Sequence, residues 1–152
     1  MSKIKKYYTL FFILITFVFC EHVTKEQATE IANNVYKAYD TNRVSDRISI
    51  DYIDTVSENS INLFYVINLS PKGFILISAD DRAIPVLGYS FDNKFIIENV
   101  TTNIDWLLSK YKTQILSVIN SNTPATLDIQ QQWDEVSLET ITPQIRDVSP
   151  LL

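Results

Sequence analysis

The chain has 152 residues, with 18 acids against 13 bases, one His, one Cys and two Gly. A single domain is the expectation at that length, a lone Cys excludes an internal disulfide framework, and one Cys with one His cannot complete a four-ligand zinc site. The net charge of −5 argues against a nucleic-acid partner, which needs a basic face to displace counterions, and a hydrophobic content of 46% argues against disorder.

Residues 1–20 read as an export signal rather than as part of the fold. Lys3, Lys5 and Lys6 make a basic start, and the thirteen residues from Tyr7 to Phe19 carry no charge. That run is shorter than the ~20 apolar residues of a membrane-spanning helix. A cut after Cys20 has Val18 three positions back but no small-x-small pattern. Cys20 is also where a lipoprotein signal would carry its lipid, although Phe19 stands where such signals take a small side chain. Without residues 1–20 the chain keeps 10 bases and 18 acids, a charge of −8. Such an acidic domain stays soluble and is drawn toward basic surfaces.

A first helix is predicted over 24–39. Thr24 and Gln27 form a capping box, and Ala28, Ile31, Ala32, Val35, Tyr36 and Tyr39 recur on one face. Four strands follow, over 48–56, 61–69, 74–78 and 86–90. Ser70-Pro71-Lys72-Gly73 is a tight turn that makes the second and third strands a hairpin. A second helix begins at Thr101, Thr102 or Asn103, with Ile104, Leu107, Leu108, Tyr111, Ile115 and Val118 on its buried stripe. Pro124 stops it, and residues 123–152 look extended, with Trp133 their one bulky residue. The expected fold is α+β: an antiparallel sheet of about four strands with one face packed against two amphipathic helices.

Catalytic chemistry is missing from this pattern. His22 sits at the frayed mature start and Cys20 at the end of the signal, so no Cys–His or Ser–His pair forms in the folded part. Asp80 and Asp81 are sequence neighbours on a loop and point apart. No phosphate-binding glycine loop, Ca²⁺ loop, metal site or cofactor motif is present. The chain reads as a non-enzyme with no small-molecule substrate. Gly73 and Gly88 read as positions of positive φ or close approach. Arg82 reads as tying its loop to Asp80 and Asp81, Phe74 and Tyr89 as core, and Trp106 either as partly buried core or as an interface anchor.

Residues 63–90, LFYVINLSPKGFILISADDRAIPVLGYS, carry a resemblance. The hairpin strand Gly73-Phe74-Ile75-Leu76-Ile77-Ser78, the Asp81-Arg82 loop and the strand Pro85-Val86-Leu87-Gly88-Tyr89-Ser90 are similar to the propeptide of streptopain-type cysteine peptidases, also found as the free-standing Spi inhibitor domain. The similarity extends to Asn103-Ile104-Asp105-Trp106-Leu107-Leu108, and Val148-Ser149-Pro150-Leu151-Leu152 looks like the junction between propeptide and peptidase. The resemblance implies an α+β inhibitor domain over 21–122, followed by a junction-like tail over 123–152. It implies a propeptide-like chain without a catalytic domain, exported to the cell surface, periplasm or medium, whose partner is a streptopain-like cysteine peptidase. In such zymogens an Asn at the start of the last helix enters the active-site cleft, and the loop bearing the catalytic His is held out of place. The matching residue is Asn103, with Asn99 as the fallback and Trp106 beside it. Asn103 also reads as a helix N-cap. Two other readings stand beside inhibition: a non-inhibitory surface or periplasmic interaction module, and the remnant of a truncated zymogen. Contact with a membrane would come only through a lipid on Cys20.

Overall fold

A computed structural model describes residues 22–40, 48–97, 101–121 and 123–138. The signal segment, Cys20, Asn99 and residues 139–152 lie outside the described residues. In chain order the elements are α1 (Lys25–Tyr39), β1 (Ile50–Glu58), β2 (Ile61–Leu69), β3 (Phe74–Ser78), β4 (Val86–Ser90), α2 (Thr102–Ser121) and α3 (Leu127–Ser137). The four strands form one antiparallel meander in the order β1-β2-β3-β4.

Local chemistry sets each boundary. Thr24 caps α1: its hydroxyl accepts from Gln27 N at 3.2 Å, and Gln27 Oε1 accepts from Thr24 N at 2.8 Å. The β1–β2 turn places Asn59 and Ser60 at φ 51° and 65°, the left-handed pair that matches the twist of a two-residue hairpin. Gly73 closes the β2–β3 turn at φ +105°, where an added Cβ would also meet Ser90 O at 3.1 Å. The Ser70–Pro71 peptide bond in that turn is cis.

Among the described residues the sheet is covered on both faces, not one, and by three helices, not two. Tyr65, Ile67, Leu69, Ile75 and Ile77 pack with Ala28, Ile31, Ala32 and Val35 of α1 and Val136 of α3. Phe64, Val66, Leu76 and Leu87 pack on the other face with Phe95 and with Leu108 and Ile115 of α2. Strand β2 is therefore buried without a break from Leu63 to Leu69, as expected of a central strand between two layers. Its alternation slips at Leu63, where the β1 register shifts between Val56 and Ser57, so that Leu63 and Phe64 both join the α2 side. Asn68 is the polar exception on that strand. Its amide donates to Phe95 O at 3.0 Å and accepts from Phe95 N at 2.8 Å, which pins Phe95 into the cluster.

Part of the segment expected to be extended is a helix. Thr126 caps α3 by accepting from Ile129 N at 3.3 Å, and Trp133 and Val136 return the chain to the α1 face. No helix of the described residues is long and apolar enough to cross a membrane.

Candidate functional site

Two regions hold the residues singled out in the sequence: the first turns of α2 and the loop between β3 and β4.

Helix α2 buries one stripe and offers another. Leu108 and Ile115 are buried, with Ile104 and Tyr111 packed beside them. On the outer side Asn103, Trp106 and Lys110 stand three and four residues apart, which is one helix face. Asn103 is exposed, Trp106 is 62% exposed and Leu107 is 36% exposed. Trp106 is therefore not core. Lys110 Nζ lies 5.4 Å from its ring centroid, a cation–π contact worth about 0.5–1 kcal/mol at an exposed site. Asn103 is not the helix cap either. The first helical hydrogen bond runs from Asp105 N to Thr101 O at 2.9 Å, which places Asn103 inside the first turn with its side chain turned to solvent. Tyr111 anchors this helix to the sheet by donating from its hydroxyl to Leu87 O at 2.7 Å. Burial pushes its phenol pKa up.

The β3–β4 loop is built around a buried ion pair. Arg82 donates to Asp80 Oδ1 through Nε at 2.9 Å and through its own backbone N at 3.1 Å, and to Oδ2 through Nη2 at 2.8 Å. Both side chains are under 8% exposed. A planar guanidinium can bridge both oxygens in this way and an ammonium cannot. The loop is then held on three sides. His22 pairs with Asp80 in a β-bridge and Val23 N donates to Ala79 O at 2.9 Å, so His22 is tied rather than frayed. Pro85 is buried, and its carbonyl accepts from Ser78 N at 3.0 Å. Trp133 Nε1 donates to Ala83 O at 2.8 Å. Asp81 is half-buried at the edge of this junction.

Two glycine and aromatic expectations change. Gly88 has neither positive φ nor a clash, since an added Cβ would meet only Leu76 Cδ1 at an ordinary 3.9 Å. Tyr89 is 43% exposed and stacks between Tyr39 and Phe91, with ring centroids 5.2 Å away on each side. Burial and the neighbouring Tyr39 raise its pKa. Phe74 is half-buried against Phe95 at 4.9 Å.

The residues missed by sequence reasoning are Asn34, Asn68 and the docked face of α3. Asn34 interrupts the apolar face of α1 beside Val35, and an amide in such a place signals a buried hydrogen-bond partner. The partner is α3: Asn34 Nδ2 donates to Val136 O at 2.8 Å.

Comparison with known proteins places the chain in a family. Residues 20–115 match the Spi protease inhibitor family, a span that takes in α1, the whole sheet and the exposed turns of α2. Thiol protease/hemagglutinin PrtT of Porphyromonas gingivalis is 29% identical over 119 residues, which is 75% of this chain and 14% of that protein. Streptopain of Streptococcus pyogenes is 34% identical over 73 residues, or 48% of this chain and 18% of that protein. The chain thus spans less than a fifth of the length of either relative. No solved structure matches it.

Proposed function

The chain belongs to the Spi protease inhibitor family, and from that premise we propose that it is an exported, non-catalytic domain that binds and blocks the active-site cleft of a streptopain-like cysteine peptidase. The observation that carries the reading is the position of the exposed α2 stripe. Asn103 and Trp106 lie within the family-matched residues, on a helix whose inner stripe packs on the sheet and whose Tyr111 bonds to Leu87 O.

The mechanism follows from what a cysteine peptidase needs. Its thiol is a nucleophile only as thiolate, and without an imidazolium partner a Cys has a pKa of about 8.5 and is mostly protonated at neutral pH. A helix end seated in the cleft excludes substrate and keeps the catalytic His loop from closing on the Cys. Asn103 supplies a short polar side chain at the tip of that helix. Trp106, one turn later, supplies the large rigid anchor that interfaces concentrate their energy in. Inhibition in trans at nanomolar affinity requires contacts worth about −12 kcal/mol. An interface of ~800 Å² per partner with good anchors is the usual scale.

Titrating the chain against a streptopain-like peptidase with a peptide substrate tests this. The expected result is stoichiometric loss of activity. Asn103→Ala should weaken inhibition at least about tenfold while leaving the thermal midpoint unchanged, because its side chain is exposed and makes no capping bond. A mutant as potent as the parent removes Asn103 from the mechanism. Full peptidase activity at a large excess of the folded parent chain overturns inhibition and leaves the non-inhibitory interaction module.

A further inference from the structure

The family match ends at residue 115, yet the chain continues through α3, which returns to the opposite face of the sheet. We infer that α3 is a clasp: a helix that closes over α1 and the β3–β4 loop, opens independently of the rest of the domain, and when closed withholds residues 123–138 from proteolysis.

Three observations carry this. The first is that α3 meets the domain through an inner stripe of Trp133 and Val136. Trp133 Nε1 donates to Ala83 O at 2.8 Å, Asn34 Nδ2 donates to Val136 O at 2.8 Å, and Val136 is 8% exposed in the α1-side cluster. The helix ends stay outside, with Leu127 83% and Leu138 68% exposed. The second is that the seat of α3 is partly polar and incompletely filled. A cleft of about 340 Å³ remains beside it, lined by the aliphatic Val23 and Ile31 and by the polar His22, Gln27, Glu30 and Asp81. Asn34 spends its amide N–H on α3, while its Oδ1 has no donor among the described residues. When α3 lifts, that amide regains water at both atoms, so opening leaves no new orphaned polar group on α1. The third is that the loop it grips carries its own buried anchor, the Asp80–Arg82 pair. Ala83 follows directly on that pair, so the clasp closes on a preset carbonyl. Weakly sealed peripheral helices of this kind are the segments that open locally while a core stays closed.

The consequence for inhibition rests on the function proposed above. A protein that sits in a peptidase cleft must not be consumed by it, and an endopeptidase cuts extended backbone rather than a docked helix. A closed α3 therefore presents residues 127–137 to an enzyme as docked helix.

A protease reporter separates opening of the clasp from general unfolding. The chain has no Lys or Arg between residues 113 and 145, so Gln131→Lys on the exposed face of α3 creates one new trypsin site there, beside its present partner Glu135. In the full chain, cleavage after Lys112 reports unfolding of α2 and cleavage at position 131 reports α3. The expected result is slow cleavage at 131 in Q131K. Adding Trp133→Ala should speed it at least about tenfold with Lys110 and Lys112 still uncut. Equal cleavage at 131 with and without Trp133→Ala overturns the clasp. So does cleavage at 112 in step with 131, which would make α3 part of one cooperative core. If Trp133→Ala fails to fold, Trp133→Phe decides by the same criterion, because it keeps an aromatic ring in the seat and loses the bond to Ala83. This trypsin experiment needs no peptidase partner, so its outcome stands whether or not inhibition is found.

Discussion

At the scale of single residues, Arg82 shows how a surface-type side chain becomes structural. Its guanidinium reaches both Asp80 oxygens, and the pair is buried. Pairs of this sort add little over an apolar substitute, but removing one partner strands a buried charge at a cost of about 3–5 kcal/mol. Arg82→Met is therefore expected to lower the urea midpoint sharply. Arg82→Lys should recover only part of the loss, because an ammonium cannot make the paired bonds. An unchanged midpoint in Arg82→Met would mean that the loop is held by its backbone bonds alone. The sequence made a local pairing of Arg82 with Asp80 and Asp81 legible, but not that Asp80 receives the paired guanidinium bonds. It did not make Gly88 legible: glycine's freedom is unused there, and nothing in the described contacts explains the choice.

At the scale of elements, caps separate what a sequence declares from what it hides. Thr24 and Gln27 satisfy each other's backbone groups, and a Thr-x-x-Gln pattern before an apolar stripe announces that helix. Thr24→Ala should cost about 1 kcal/mol, read as a lower urea midpoint at constant m-value. A change in m would point instead to altered compactness of one of the states. Helix α3 begins with Thr126 but has Ile129 where a box takes Glu or Gln, so only half of the signature is there. Its stripe of Ile129, Trp133 and Val136 has helical spacing, yet the surrounding Pro, Thr and Gln residues make the segment look like a linker. The second covered face of the sheet was also written in the sequence. The run Leu63 to Ile67 is apolar at every position, whereas a strand wet on one side alternates. The exposed α2 stripe was only half legible. Periodicity marks which positions face inward, but whether Trp106 leans onto the core depends on the neighbouring layer, and there it stays in solvent.

At the scale of the molecule, two phenols join the layers. Tyr65 Oη donates to Val23 O at 2.8 Å on the α1 side, and Tyr111 Oη donates to Leu87 O at 2.7 Å on the α2 side. Each bond needs the protonated phenol, and burial raises both pKa values above the ordinary 10.0. For Tyr65 the neighbouring carboxylate Glu26 pushes in the same direction, against a hydrogen bond with Asn62. The sign follows from which state holds its proton longer. A phenol with a raised folded pKa ionises first in the unfolded chain. Its contribution is complete below about pH 10 and is lost as pH rises from there through the folded values. Stability should accordingly be flat in this term between pH 7 and pH 9 and fall above pH 10. Lysines also titrate in that range, so the parent curve alone is ambiguous. The double variant Tyr65→Phe, Tyr111→Phe isolates the phenols. It should be less stable than the parent at pH 8, where both hydrogen bonds are intact in the parent, and the gap should narrow as the pH is raised past 10. Urea unfolding of both proteins at pH 8 and pH 10.5 measures that gap directly. A gap that stays constant across the two pH values would show that the hydroxyls tie the layers without any change in their ionisation on folding.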